Sequence, residues 1–225
     1  MKYLSKRFTG KYGIFKFIFL LLLMFLGPVP ASYSILIRGV DKTVLYIMTG
    51  AYILVALIFF LIFYRRFKFS GGFFYNLRIV LISLVGIYGL SFLLDLIFGS
   101  NLTNPQNQET IESMLKMNFS PALISYIVLL GPLVEEYTFR EYLPGVFRKI
   151  FRRRDQDIKD ILALLLANII FSLLHMPGDI YSFLVYFSIG LVLVLVRFFA
   201  NNLKLSALVH ILWNLISTVI LYFAL

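Results

Sequence analysis

The fold is decided by apolar runs such as IVLISLVGIYGLSFLLDLIF, residues 79–98, in which Asp95 is the one charged side chain. A membrane-spanning helix needs about 20 mostly apolar residues, which is the length of this run. Six further runs of this kind cover residues 12–31, 44–64, 119–147, 158–175, 179–200 and 205–225. The sequence therefore predicts an all-α fold, a polytopic membrane helix bundle with about seven transmembrane helices.

The composition of the whole chain agrees with a protein that resides in lipid. Of its 225 residues, 60% are apolar and 14% are charged, whereas a soluble domain holds about 45–50% and 25% respectively. The net charge of +10 comes from basic residues clustered between the apolar runs, which indicates attraction to anionic lipid head groups and argues against nucleic acid as a partner. The chain has no cysteine, so disulfides, thiolate catalysis and Cys-ligated zinc are excluded.

The basic clusters alternate with the predicted spans. They precede the first span, separate the second from the third, follow the fourth, and include Arg197 and Lys204 around the turn before the seventh. By the positive-inside rule, the N-terminus is cytoplasmic and the chain is a multi-pass protein of the cell membrane. A cleaved signal peptide ending near residues 29–31 is an alternative for the first run, although its length and Lys16 favour a retained span. The polar residues 100–118 are predicted to form an external loop.

The fourth, fifth and seventh apolar runs carry ionisable or amide side chains in helical spacing. Such groups cost at least about 2.5–3.5 kcal/mol each at the centre of a membrane, so their positions are informative. The fourth run contains LVEEYTFRE from residue 133, the fifth ends in FSLLH at residue 175, and the seventh contains HILWN from residue 210. Residues four apart share one face of a helix, so three helices can direct polar side chains into one cavity. The candidate site residues are Glu135, Glu136, Arg140, His175, His210 and Asn214.

Pro132 lies one turn before the two acidic residues of the fourth run. Proline has no N–H to donate to the carbonyl of Val128, four residues earlier, so the helix can open or bend at this point. We therefore expect an irregular helix immediately before Glu135.

The three motifs read Glu135-Glu136-x-x-x-Arg140, Phe171-x-x-x-His175 and His210-x-x-x-Asn214. In their order and helix placement they resemble those of the CPBP family, the CAAX proteases and bacteriocin-processing enzymes, also called the Abi family. The resemblance covers residues 119–225 and implies a CPBP-like catalytic membrane core there, in the last four helices. Residues 1–118 would then form N-terminal membrane helices without a motif.

The resemblance also implies an intramembrane endopeptidase with a role for each motif residue. Glu135 would be the base that activates water, and the other two residues of the first motif would support and orient it. His175 would hold the water or polarise the substrate carbonyl. His210 and Asn214 would stabilise the tetrahedral oxyanion.

The metal and the substrate stay open in the sequence. His175, His210 and Glu135 could supply two imidazoles and a carboxylate to a divalent metal such as zinc, but water attack driven by glutamate without a metal is slightly favoured. The resemblance implies that the substrate is a membrane-associated peptide or protein, in peptide or bacteriocin processing or in self-immunity. The sequence predicts no oligomeric state.

Two other functions use the same polar residues. A non-catalytic membrane scaffold or immunity protein of the same fold would keep the bundle without needing all six side chains. A transporter or proton relay is the other alternative, because intramembrane Glu, Arg and His also mark ion paths. Transporters usually show paired repeats with broken helices, and the sequence shows no internal repeat.

Overall fold

The computed structural model describes residues 14–26, 71–99, 106–117 and 121–224, with scattered positions between 43 and 61. Its helices are α1 Ile14–Leu26, α2 Phe73–Phe98, α3 Gln106–Met117, α4 over residues 121–147, α5 Gln156–Leu174, α6 Ile180–Phe199 and α7 Leu203–Ala224. The described residues include no strand, so the prediction of an all-α fold is confirmed for this part of the chain.

Three helices, α2, α6 and α7, are long and apolar enough to cross a membrane. This agrees with a membrane protein, but the count of seven spans stays a prediction. The second predicted span, residues 44–64, and the alternative cleavage region at 29–31 lie largely or wholly outside the described residues. The division of the chain at residues 118 and 119 also stays a prediction.

The helix α4 is continuous but changes its hydrogen-bonding register twice. The segments Pro121–Ser125, Gly131–Glu136 and Leu143–Phe147 are α-helical, and the π-turns Tyr126–Leu130 and Tyr137–Tyr142 separate them. A π-turn accommodates one extra residue in a helix and is frequent at functional sites. The irregularity expected before Glu135 is therefore present as a π-turn, not as a break.

The helix α4 forms the centre of the bundle, where it contacts α1, α5, α6 and α7. Between residues 130 and 145 every position is buried except Glu135, which is 20% exposed. A second cluster joins α2 to α6 and α7 through fully buried side chains such as Ile87, Leu193 and Leu205. The core thus surrounds the motif segment of α4 and leaves access to it at one carboxyl group.

The prediction of a loop over residues 100–118 is wrong for residues 106–117, which form α3. Glu109 lies in its first turn and Lys116 in its last turn, where each charge complements the helix dipole. Ile111 packs against the buried Leu123 of α4. The polar composition therefore belongs to an amphipathic helix that lies on the bundle.

The outer helices α2 and α6 are joined by a polar contact near the start of α6. The Tyr181 hydroxyl donates to Asp95 Oδ1 at 2.6 Å. Asp179 precedes α6 and accepts from the backbone N–H of Ser182 at 2.7 Å. This backbone hydrogen bond holds the pKa of Asp179 below its ordinary value, as expected for a helix N-cap. These contacts fix where α6 begins relative to α2.

Candidate active site

Glu136 lies in the interior of the bundle and is fully buried. Its Oε2 accepts a short hydrogen bond from the Ser206 hydroxyl, and its Oε1 accepts from His210 Nδ1 at 3.1 Å. Arg140 Nε lies 3.8 Å from the same Oε1, one helical turn further along α4. Both carboxylate oxygens are therefore already engaged by protein groups, which makes Glu136 an anchor for His210.

Glu135 is the neighbouring carboxyl group and has a different environment. It is 20% exposed, and its Oε2 lies 3.6 Å from Nε2 of His210, whose side chain is 4% exposed. The imidazole of His210 thus stands between the two acids, with Nδ1 toward Glu136 and Nε2 toward Glu135. A separation of 3.6 Å is too long for a direct hydrogen bond, so Glu135 keeps oxygen lone pairs for another molecule.

His175 is the C-cap residue of α5, and Met176 after it has a left-handed backbone with φ of 50°. Nδ1 of His175 lies 2.8 Å from the carbonyl oxygen of Phe171. A carbonyl can only accept, so Nδ1 carries the proton and Nε2 keeps its lone pair. The ring stacks on Tyr186 with centroids 4.2 Å apart. This tautomer leaves one acceptor nitrogen for a ligand.

The two histidines lie on either side of one aromatic ring, although they occupy different positions along their helices. His175 ends α5, whereas His210 lies about two turns into α7. The Phe171 ring lies between them, 4.5 Å from the His175 ring and 6.1 Å from the His210 ring. Arg140 of the first motif also lies against this ring. The structure therefore packs residues of all three motifs around the Phe171 ring.

Asn214 lies one turn beyond His210 on α7. Its Nδ2 donates to the backbone carbonyl of Ile127 at 2.9 Å. This carbonyl belongs to the first π-turn of α4. Asn214 thus contacts the backbone of the motif helix. The other predicted residues, Arg140, His175 and His210, lie on the side of the carboxyl pair.

Comparison with known proteins supports the same grouping of residues. A family model described as type II CAAX prenyl endopeptidase Rce1-like matches residues 117–216, which include every motif residue. This segment of the chain is therefore similar to the CAAX prenyl endopeptidases, the group to which the sequence motifs point. The motif residues identified in the sequence all lie in the matched segment.

The chain is also similar to curated proteins of two bacteria. It is 30% identical over 135 residues to the membrane-embedded CAAX protease MroQ of Staphylococcus aureus (strain USA300), which covers 59% of this chain and 52% of the relative. It is 29% identical over 159 residues to the UPF0177 protein YvdC of Lactococcus lactis subsp. lactis (strain IL1403), covering 68% and 56%. The chain thus spans about half the length of the curated relatives it matches. No solved structure matches it.

Arg140 of the first motif is fully buried and is held by residues outside the motifs. Its Nη2 donates to Asn168 Oδ1 and to the Gly190 carbonyl, both at 3.2 Å. Its guanidinium lies 4.9 Å from the centre of the Phe171 ring. A Cβ at Gly190 would collide with the Asn168 carboxamide and lie 3.0 Å from the Phe171 ring. Glycine at this position therefore lets α6 approach Arg140.

A second buried ion pair lies next to Arg140 on the motif helix. Arg197 Nη2 lies 3.0 Å from Glu141 Oε2, and both side chains are at most 3% exposed. Arg197 Nε also donates to the Arg140 carbonyl at 3.2 Å, within the second π-turn of α4. Arg197 and Lys204 flank the turn before α7 as the sequence predicts, and both side chains are buried. Arg197 stabilises the irregular backbone of α4.

Sequence reasoning did not find Asn168, Gly190, Ser206 or Arg197 as supports of the site. Asn168 is a single amide in the apolar run of α5 and Arg197 a single cation in that of α6, which is the signal that could have found them. Ser206 and Gly190 carry no such signal, because small residues are common in membrane helices.

The donor set also bears on the metal question. In the segments that the structure describes, no group of three or more His, Cys, Asp or Glu side chains is arranged to hold a metal ion. One His210 nitrogen and both Glu136 oxygens are engaged with each other and with Ser206. The zinc set considered from the sequence, His175, His210 and Glu135, stays a prediction.

Proposed function

We propose that this protein is a CPBP-type intramembrane endopeptidase that hydrolyses a peptide bond of a membrane-associated peptide or protein. The observation that carries the proposal is the different environment of two adjacent acids. Glu136 is fully buried and bound by Ser206 and His210, whereas Glu135 is partly exposed and lies 3.6 Å from His210 Nε2. A base needs this second environment, because it must reach both water and substrate.

The nucleophile is a water molecule held between Glu135 and His175. A water has two protons to donate, and these two groups supply two acceptors: the Glu135 carboxylate and the free Nε2 of His175. Glu135 removes one proton as the water oxygen bonds to the substrate carbonyl carbon, and the carbonyl π electrons move to oxygen. The result is a tetrahedral oxyanion and a protonated Glu135.

His210 stabilises the oxyanion. In the proposed step, the imidazolium form of His210 donates Nδ1–H to Glu136 and Nε2–H to the oxyanion. One donor of this type in a dry site contributes about 3–4 kcal/mol to transition-state stabilisation.

The intermediate collapses when Glu135 returns its proton to the amide nitrogen. The C–N bond breaks, the oxyanion re-forms a carbonyl, and the products are a new carboxyl terminus and a new amine. The proposed reaction uses no metal step, in keeping with the preference of the sequence for water attack driven by glutamate. A zinc-dependent alternative would make cleavage sensitive to chelators.

The setting of the enzyme is also part of the proposal. The chain crosses the cell membrane several times with its N-terminus in the cytoplasm, and it acts in peptide or bacteriocin processing or in self-immunity. Because the chain has no cysteine, a single cysteine introduced at residue 2 or residue 225 is the one thiol of the protein. A thiol reagent that does not cross the membrane then reports on which side of the membrane that residue lies. Labelling of residue 2 from outside intact cells would contradict this orientation.

The test is mass spectrometry of small membrane-associated peptides from cells that carry the intact protein or the Glu135→Gln variant. We expect cleavage products that disappear with Glu135→Gln and persist with Glu109→Gln, which changes an exposed acid on α3. Identical peptide inventories for the intact protein and Glu135→Gln would reject proteolysis. If Glu135→Gln also kept the cellular phenotype, a non-catalytic scaffold or immunity protein would be the better explanation.

A further inference from the structure

The first π-turn of α4 is followed by Gly131 and Pro132, and the proline interrupts its hydrogen-bond pattern. The N–H of Gly131 donates to the carbonyl of Tyr126, five residues earlier. In this register the next residue, Pro132, would donate to the carbonyl of Ile127, but proline has no N–H. The π-turn therefore leaves the Ile127 carbonyl without the backbone donor that the register would supply.

A side chain from another helix occupies this position. Nδ2 of Asn214 donates to the Ile127 oxygen at 2.9 Å. The carbonyl is thus satisfied from α7, as a backbone acceptor at the depth of a membrane must be. Gly131 makes the local geometry possible, because a Cβ there would lie 3.1 Å from the Tyr126 oxygen.

We propose that Asn214 is a positioning residue whose carboxamide replaces the missing N–H of Pro132 and so fixes α7 against α4 beside the carboxyl pair. His210, one turn earlier on α7, makes the second contact through Glu136. The two contacts together set the separation of Glu135 from His210 Nε2. The role in cleavage rests on the proposed function, whereas the structural coupling does not.

This role differs from direct stabilisation of an oxyanion by Asn214. A residue that acts on the substrate is needed whether or not α4 has a backbone donor at residue 132. A residue that replaces a backbone donor becomes dispensable once that donor is restored. In a Pro132→Ala variant the Ile127 carbonyl gains a backbone donor in either register, from residue 131 in an α-helix or from residue 132 in a π-turn.

The experiment is a double-mutant cycle on the full-length protein purified in detergent, with Asn214→Leu measured in the Pro132 and Pro132→Ala backgrounds. The first readout is the thermal unfolding midpoint. We expect Asn214→Leu to lower it by several degrees when Pro132 is present and by less than half as much with Pro132→Ala. The control is Tyr181→Phe, which removes the hydrogen bond of α6 to Asp95 on α2. It should lower the unfolding midpoint equally in both backgrounds.

The second readout is the yield of cleavage products in cells. With Pro132 present, Asn214→Leu should reduce the yield on the order of tenfold, the effect of one unsatisfied buried acceptor. With Pro132→Ala the reduction should be under about threefold. Equal losses of the unfolding midpoint in both backgrounds would overturn the proposal.

The positioning role would also be overturned if Pro132→Ala reduced the effect of Asn214→Leu on the unfolding midpoint but not its effect on the yield of cleavage products. Asn214 would then act on the substrate itself. If no variant and no intact protein cleaves any peptide, the proposed function fails. The cycle of unfolding midpoints still decides whether Asn214 replaces the proline donor.

Discussion

Removal of the Arg140 guanidinium is the most severe single change that the site allows. The Arg140→Met substitution keeps much of the side-chain volume and leaves Glu136 buried without its guanidinium partner. It also removes the donor to Asn168 Oδ1 and to the Gly190 carbonyl. Breaking a buried ion pair by removing one partner lowers the free energy of unfolding by about 3–5 kcal/mol. Because two hydrogen bonds are lost as well, we expect the upper half of that range.

The assay is unfolding of the purified protein in mixed micelles, followed by circular dichroism as denaturing detergent is added. Arg78→Met is the matched control, because Arg78 is exposed on α2 and surface substitutions usually change stability by at most about 0.5 kcal/mol. A native domain is stable by about 5–15 kcal/mol, so the loss in Arg140→Met is a large share of the total.

A companion variant tests the cause of this loss. Removing both partners, as Arg140→Met with Glu136→Leu, replaces the ion pair with apolar groups and should recover part of the stability. The reasoning is refuted if Arg140→Met costs less than about 1 kcal/mol, like Arg78→Met. It is also refuted if the double variant is less stable than either single variant.

Three further predictions follow from the packing and from the donor set. Gly190→Ala should lower stability by about 1–3 kcal/mol through overpacking against Asn168, whereas Gly89→Ala, whose Cβ would meet nothing within 4 Å, should not destabilise the protein in the same thermal unfolding assay. Arg197→Met should cost about 3–5 kcal/mol by leaving Glu141 buried without its cation, and Glu141→Leu in addition should recover part of that loss. Product formation should survive treatment with EDTA, and a loss that zinc restores would show a metal-dependent reaction.

The sequence predicted the helices and the motif residues because both leave strong local signals. Apolar runs of about 20 residues mark membrane helices, and the described α5, α6 and α7 begin and end within about two residues of the predicted runs. A charge inside such a run is costly and therefore conspicuous. This is why Glu135 and His210 could be identified, although they are 75 positions apart in the chain.

The sequence did not predict features that depend on how helices approach each other. The second π-turn of α4 rests on a side-chain donor from another helix, Arg197 to the Arg140 carbonyl. Gly190 matters because of Asn168 on the facing helix. Nor does polar composition distinguish a loop from an amphipathic helix such as α3, whose contact with Leu123 is long-range. Each of these features is decided by tertiary contacts.

The central claim is that the Glu135 carboxylate removes a proton from water. The most direct measurement is product formation by Glu135→Ala, with and without added formate, using the substrate that the peptide comparison identifies. Cleavage should be lost in Glu135→Ala and partly restored by formate, because Glu135 is partly exposed; Glu136→Ala should not recover, since Glu136 is fully buried. Full cleavage by Glu135→Ala without formate would contradict the account.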